Sequence, residues 1–349
     1  MTRLTALLFA LMLGACTPLM TQTAGQPPLG FEGPRLAGDR FVSFDGARLG
    51  LTTWDAQDGA PDAVVVAVHG MNDYANAFHL AAPHWAEHGV STYAYDQRGF
   101  GRSPNRGVWP DESVLQEDLR TIVALVRARH PHALVVVAGE SMGGAVAIRA
   151  FASERPPAAH RLVLMAPAVW GWSTQPLPFK TALWFAAHMT GPKVYTPPEW
   201  VTDRVKPTDN MAELRAMGAD PLMIWGARSD TLYGLVDLME NAWTDIARLQ
   251  VPVLYLYGQN DEIIPERPAF QAAARLKPTD RSAYYADGWH LLTRDLQGQA
   301  VMADILTYEE HRGPITDPEA PLPSGAPPIP TAPGGDDWTP PAEHATAGL

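Results

Sequence analysis

Gly139-Glu140-Ser141-Met142-Gly143 decides the fold through what flanks it. The short apolar run Ala133-Leu-Val-Val-Val-Ala138 precedes it, and Gly144-Ala-Val-Ala-Ile-Arg-Ala-Phe151 follows with the pattern of a helix. A G-x-S-x-G sequence between a strand and a helix is the geometry of a nucleophile elbow. The turn forces Ser141 into a strained backbone conformation, and the glycines two residues before and after it let neighbouring backbone approach without a Cβ clash. A glycine-rich turn with an incidental serine has the same letters. The strand before and the helix after it favour the catalytic reading.

Further apolar runs lie on either side of the elbow: Ala63 to Val68, Val90 to Tyr95, Leu162 to Met165 and Val251 to Tyr257. Short continuous runs of this kind suit strands buried on both faces of a parallel sheet. Upstream, Phe41-Val-Ser-Phe-Asp-Gly and Arg48 to Trp54 read as a hairpin turning at Asp45-Gly46. Helical patterns alternate with the runs. The clearest spans Glu112 to Arg129, with Val114, Leu115, Leu119, Ile122, Val123 and Val126 on one face, and His130-Pro131 ends it. The alternation predicts an α/β protein with a doubly wound, mostly parallel sheet. The long interval between Met165 and Val251 breaks the rhythm. It reads as an inserted helical cap over about 169–248, carrying Trp170, Trp172, Phe179, Trp184, Phe185 and Trp200.

The chain has 349 residues, 46% hydrophobic and 18% charged, as a globular protein with one large core requires. Its ends read differently from its middle. Arg3, the apolar run Leu4 to Leu13 and then Leu13-Gly14-Ala15-Cys16 form a leader too short to span a bilayer. Residues 1–15 therefore read as a signal peptide of the bacterial lipoprotein type. Cys16, the only cysteine, is then the lipidated residue. That predicts a lipid-anchored protein of the cell envelope on the periplasmic side, with Thr17 leaning towards the outer membrane. Residues 16–37 read as a flexible tether, 38–312 as the folded domain, and the proline-rich 313–349 as a disordered tail. A net charge of −12 with no basic cluster argues against a nucleic-acid partner.

A serine hydroxyl needs a base within hydrogen-bond reach, and the base needs a carboxylate to fix its tautomer. In this fold class the acid and the histidine follow the serine, on loops after late strands. Tyr255-Leu-Tyr-Gly-Gln-Asn-Asp261 and Ser282-Ala-Tyr-Tyr-Ala-Asp-Gly-Trp-His290 each run from strand into loop, which assigns Asp261 as acid and His290 as base. Asp287 is poorly placed to meet the ring of His290. Asp230 reads as the N-cap of a cap helix, and His69 as a structural donor in a strand-end turn. His84 and His88 have i,i+4 spacing without a third ligand, so surface helix positions fit them better than a metal site. The oxyanion donors are assigned to the backbone N–H groups of Met142, after the nucleophile, and Met71, in the His69-Gly70-Met71-Asn72 loop.

His69-Gly70-Met71, Asp96-Gln-Arg-Gly-Phe-Gly-Arg-Ser103, Gly139 to Gly144, Gly258-Gln-Asn-Asp261 and Asp287-Gly-Trp-His290 occur in one order. Together they resemble the monoacylglycerol lipase and lysophospholipase group of α/β-hydrolases, over roughly 38–312. The resemblance implies the triad Ser141, Asp261 and His290, the oxyanion pair Met71 and Met142, and a conformational rather than catalytic role for Asp96 to Ser103. It also implies an acyl-enzyme route to ester hydrolysis with no metal or organic cofactor. Glu140 departs from the family, where histidine commonly precedes the serine; it is expected to shift local charge and pH profile while leaving the mechanism intact.

The family resemblance points to single-chain acyl esters such as a monoglyceride or lysophospholipid. Trp170, Trp172, Phe179 and Trp184 either line the acyl channel or pack the cap onto the sheet. A serine aminopeptidase remains open, with Glu199, Asp203, Asp209 and Glu213 as candidates to hold a free amine. So do an acyltransferase on the same scaffold and a non-catalytic envelope binding module, although the latter has no need of Ser141 and His290 together.

Overall fold

Val64, Val66 and Val68 lie in one apolar core, and Val65 and Ala67 of the same strand lie in another. A strand that buries both faces must be covered by helices on both sides, and this one is. The computed structural model describes residues 19–57, 59–198, 204–310 and 321–330. In chain order its strands are β1 (Thr21–Gln22), β2 (Arg35–Ala37), β3 (Arg40–Val42), β4 (Arg48–Trp54), β5 (Ala63–Val68), β6 (Val90–Tyr95), β7 (Trp109–Pro110), β8 (Leu134–Glu140), β9 (Arg161–Met165), β10 (Val194–Tyr195), β11 (Ala227–Arg228), β12 (Val253–Gly258) and β13 (Arg281–Tyr285). The central sheet has the order β13-β12-β9-β8-β5-β6-β4-β3-β2. Neighbours from β13 to β6 pair in parallel, and β4, β3 and β2 join as antiparallel ribbons. The α/β-hydrolase fold expected from the sequence is the fold observed. The strand runs lie within one or two residues of their expected ends.

The helices are α1 (Ala81–Glu87), α2 (Glu112–Arg129), α3 (Met142–Phe151), α4 (Leu177–Thr190), α5 (Met211–Ala219), α6 (Ser229–Asp245), α7 (Glu266–Ala273) and α8 (Gly298–Glu310). Leu115 of α2, Ile148 of α3, Met239 of α6 and Phe270 of α7 fill the core on one face of the sheet. Trp85 of α1 and Ile305 of α8 fill the other. The apolar face of α2 is the one its periodicity predicts, and Asp111 caps it by accepting the Ser113 N–H. Asp118 interrupts that face. It is buried because Arg98 donates to both its oxygens, at 2.7 and 2.8 Å, while also bonding Asp45 in the β3–β4 turn. This places Arg98 of the 96–103 loop as a tie between hairpin and helix.

Three expectations change. The interval 169–248 is not all cap: α6 packs on α3, and its Val236, Met239 and Ala242 belong to the main core. In the stretch before α6, β10, just after α4, pairs antiparallel with β11, just before α6. Asp230 does not cap α6; it is buried in the first turn and paired with Arg228 at 2.5 Å. The presumed tether and tail are packed where they are described. Gln22 of β1 donates to the Val108 carbonyl at 2.5 Å beside the β1–β7 pairing, and β2 is a sheet strand. At the other end, Tyr284 of β13 donates its N–H to the Pro327 carbonyl at 2.8 Å, and Leu322 and Ile329 are buried. Proline lacks an N–H but keeps its carbonyl, so a proline-rich segment can still accept from an edge strand. Cys16, the leader 1–15, Glu199, Trp200, Asp203 and the tail residues 313–320 and 331–349 lie outside the described residues.

Candidate active site

Ser141 stands at the junction of β8 and α3 with φ 52° and ψ −117°, a left-handed conformation rare for a residue bearing a Cβ. The flanking sequence forces it. A Cβ at Gly143 would lie 2.0 Å from the Val68 carbonyl oxygen, and one at Gly139 would meet Gly143 and Gly144 at 2.7 Å. Only glycine at both positions lets the helix start this close to β5 and β8. Backbone bonds hold the strained residue: its N–H donates to Met165 at 2.9 Å, and its carbonyl accepts from Ala145 and Ala168.

His290 and Asp261 meet at the ends of neighbouring parallel strands, β13 and β12. His290 Nδ1 lies 2.8 Å from Asp261 Oδ2, with both side chains buried. The other Asp261 oxygen accepts the N–H groups of Ile263 and Ile264 at 2.8 and 2.9 Å, which fixes the carboxylate. An ionised acceptor at Nδ1 makes it the protonated nitrogen and leaves Nε2 as the basic one. Burial pulls the pKa of His290 down, but the charge and hydrogen bond of Asp261, with the charge of Glu140, outweigh it and leave the ring raised. Asp287 is exposed, whereas His290 and Asp261 are buried.

A cavity of about 350 Å³ opens over the serine, lined on its floor by Gly70, Met71, Ser141 and His290. Met142 is the first residue of α3, so its N–H is among those that a helix leaves without an internal acceptor. The Met71 turn is fixed by His69. The Gln97 N–H donates to His69 Nε2 at 2.8 Å, which leaves Nδ1 to donate to the Gly70 carbonyl at 2.7 Å. Burial, the main cause, depresses the pKa of His69 and keeps it neutral, as this pairing requires. His69 is thus acceptor and donor at once. His84 of α1 and His88, just past its end, sit ring against ring with centroids 4.8 Å apart. Among the described residues no group of three or more His, Cys, Asp or Glu is arranged to hold a metal ion.

The cap aromatics are elsewhere. Trp172 and Trp184 line a separate outer groove with Phe185 and Tyr233, and Trp170 packs edge-on against Phe179. None of the four expected residues lines the cavity over Ser141. Its upper wall is made by Leu214 and Met217 of α5 and by Met223, Ile224 and Trp225. The apolar run Pro221-Leu-Met-Ile-Trp225 was the sequence signal for that wall, hidden by the more conspicuous tryptophans upstream. Two acids, Asp73 and Glu140, close one side of the cavity, each bonded to buried Arg294. Burial raises the pKa of Glu140 most, while the Arg294 charge opposes it. Asp73 and Arg294 carried no motif and were not singled out by the sequence.

A family model described as serine aminopeptidase, S33 (Hydrolase_4) matches residues 59–297. The chain is 27% identical over 271 residues to a monoacylglycerol lipase of Mycolicibacterium smegmatis, covering 77% of this chain and 95% of that protein. It is 26% identical to the human monoglyceride lipase, with 73% and 84% covered. Among solved structures, a soluble variant of the Saccharomyces cerevisiae monoglyceride lipase in complex with a substrate analog superposes with a TM-score of 0.64 at 16% identity, covering 82% of this chain and 98% of that one. At that identity the likeness speaks for the fold.

Proposed function

We propose, on the premise that the chain belongs to the serine aminopeptidase S33 (Hydrolase_4) family, that it is a carboxylic ester hydrolase acting on single-chain acyl esters through Ser141, His290 and Asp261. One observation carries the reading: Ser141 and the Asp261-bonded His290 floor the same apolar-walled cavity. In this mechanism His290 Nε2 takes the Ser141 proton as Oγ attacks the ester carbonyl carbon. The oxyanion that forms is held by the N–H groups of Met71 and Met142; each such donor is worth about 2.7–4 kcal/mol of barrier. Collapse returns the proton to the departing alcohol and leaves an acyl ester on Ser141. Water, deprotonated by His290, then releases the carboxylic acid.

The walls argue for the acyl chain. Leu214, Met217, Met223 and Ile224 offer unbranched and branched apolar surface without hydrogen-bond groups, and methionine adapts to a flexible chain. A monoacylglycerol fits this arrangement, and the names of the relatives agree with it. The aminopeptidase reading has less support: Asp209 accepts the Leu296 N–H, and buried Glu213 faces His79 Nε2 at 3.4 Å. Both are engaged outside the cavity lining. Glu199 and Asp203 lie outside the described residues.

The decisive measurement is turnover of p-nitrophenyl esters from C2 to C16 and of 1-monooleoylglycerol, by the wild type and Ser141→Ala. Turnover that rises with chain length and is lost in the variant supports the reading. Retained turnover in Ser141→Ala, or activity confined to aminoacyl-naphthylamides, would overturn it. We also place the protein at the cell envelope through acylation of Cys16, on the strength of Leu13-Gly-Ala-Cys16. Among the described residues no helix is long and apolar enough to cross a membrane. Mass spectrometry of the mature N-terminal peptide tests the anchor, and an unmodified Cys16 would refute it.

A further inference from the structure

We propose that Arg294 is a positioning residue whose guanidinium joins the nucleophile elbow and the oxyanion turn to the histidine loop. The inference rests on the roles of Ser141 and His290 given above. Its Nη2 donates to Glu140 Oε1 at 2.6 Å, and Glu140 is the residue before the nucleophile. Its Nη1 donates to Asp73 Oδ2 at 2.7 Å, and Asp73 closes the turn that carries Met71, its own N–H reaching the Gly70 carbonyl. Arg294 belongs to the turn that follows His290, donating its backbone N–H to the Leu291 carbonyl at 2.7 Å. Segments 221 and 154 residues away in the chain are thereby tied to one side chain.

The link extends to the cap. The Arg294 carbonyl accepts from Asn210 Nδ2 at 3.0 Å, and Asn210 caps α5, whose Leu214 and Met217 wall the cavity. Arg294, Asp73 and Glu140 are all buried. Buried charge clusters seldom earn their place through stability, since apolar replacements of similar volume are often as stable. Geometry is a better reason for this one. The reaction needs a nucleophile, a base and a donor from three separate loops in register, and a misplacement of about 1 Å costs about 10²-fold in rate. A planar guanidinium spans two carboxylates at fixed angles, which an ammonium cannot do.

The test compares Arg294→Lys with the triple variant Arg294→Met, Glu140→Gln, Asp73→Asn, which removes the three charges of the cluster together. Thermal unfolding and the kcat and KM for a p-nitrophenyl ester are measured on the full chain. The expected result is a cooperatively folded triple variant with kcat reduced about 10²-fold and KM changed little, with Arg294→Lys in between. A folded triple variant with wild-type kcat overturns the proposal. So does a loss confined to KM, which would make Glu140 and Asp73 substrate contacts. Should the triple variant not fold, Arg294→Lys decides alone: reduced kcat at unchanged KM supports positioning, and unchanged kcat refutes it. Ser141→Ala run in parallel separates the two levels. If it stays active the site reading falls; if it is dead while the Arg294 variants are unimpaired, only the positioning role falls.

Discussion

The catalytic cavity and the outer groove of the cap are both apolar, and they differ in everything else. The cavity, about 350 Å³, has mostly aliphatic and methionine walls, with Trp225 among them, over buried Ser141 and His290. The groove, about 490 Å³, is larger and aromatic, its Trp184 and Phe185 being 43% and 60% exposed. Trp184 stacks on His188 at 4.4 Å between centroids, and Trp172 donates to Asp237 of α6 at 2.6 Å, so these rings have partners within the protein. Aromatic content and size thus point to the groove, and chemistry points to the cavity. What separates them is the presence of titratable groups with a geometric relation to a nucleophile.

That contrast can be broken or sharpened by substitution. The largest effect is expected at Asp261→Asn, which keeps the shape of the triad but lets the amide fix the wrong tautomer of His290; kcat should fall about 10⁴-fold on every ester. Narrowing the wall with Met217→Trp should cost about 10–100-fold on C12 to C16 esters and little on acetate, read as a change in the chain-length profile. A uniform loss would show that the chain does not pass α5. Glu140→Gln should move the acid limb of the pH–rate profile to lower pH. His290 must be neutral to accept the serine proton, and its pKa is raised by Asp261 and Glu140 against burial and Arg294. Removing the Glu140 charge lowers it, so activity persists further into acid. The smallest effect belongs to the groove. Trp184→Ala with Phe185→Ala should leave turnover of a soluble ester within about 2-fold, as surface changes far from the chemistry do. A larger loss would make the groove part of the substrate path.

Most of the fold was legible because its signals are local. Buried parallel strands announce themselves as runs such as Ala63–Val68, and the elbow carries its own strand, turn and helix. The serine, acid and histidine were legible for the same reason, each at a strand-to-loop transition. The cavity wall and the Arg294 cluster were not. Which side of α4 a neighbour covers depends on tertiary packing, and in α4 only Ala187 is fully buried although Leu177, Phe179, Trp184 and Phe185 are large and apolar. Arg294 looked like any charged residue because its partners come from distant parts of the chain. The tail misled for a compositional reason. Proline and glycine content predicts poor self-burial, but residues 321–330 bury Leu322 and Ile329 against a surface already formed.

That last segment covers one edge of the sheet. The sheet ends in β13 on one side and β2 on the other. Beyond β13, the Pro327 carbonyl accepts the Tyr284 N–H and the Ile329 N–H donates to Ser282 Oγ, so this segment lies where another chain's strand would pair. A protease cut after α8 would therefore remove no catalytic group, yet it would uncover an open row of backbone donors and acceptors on a parallel sheet. The clipped protein would keep Ser141, Asp261 and His290 and gain an edge through which copies can pair.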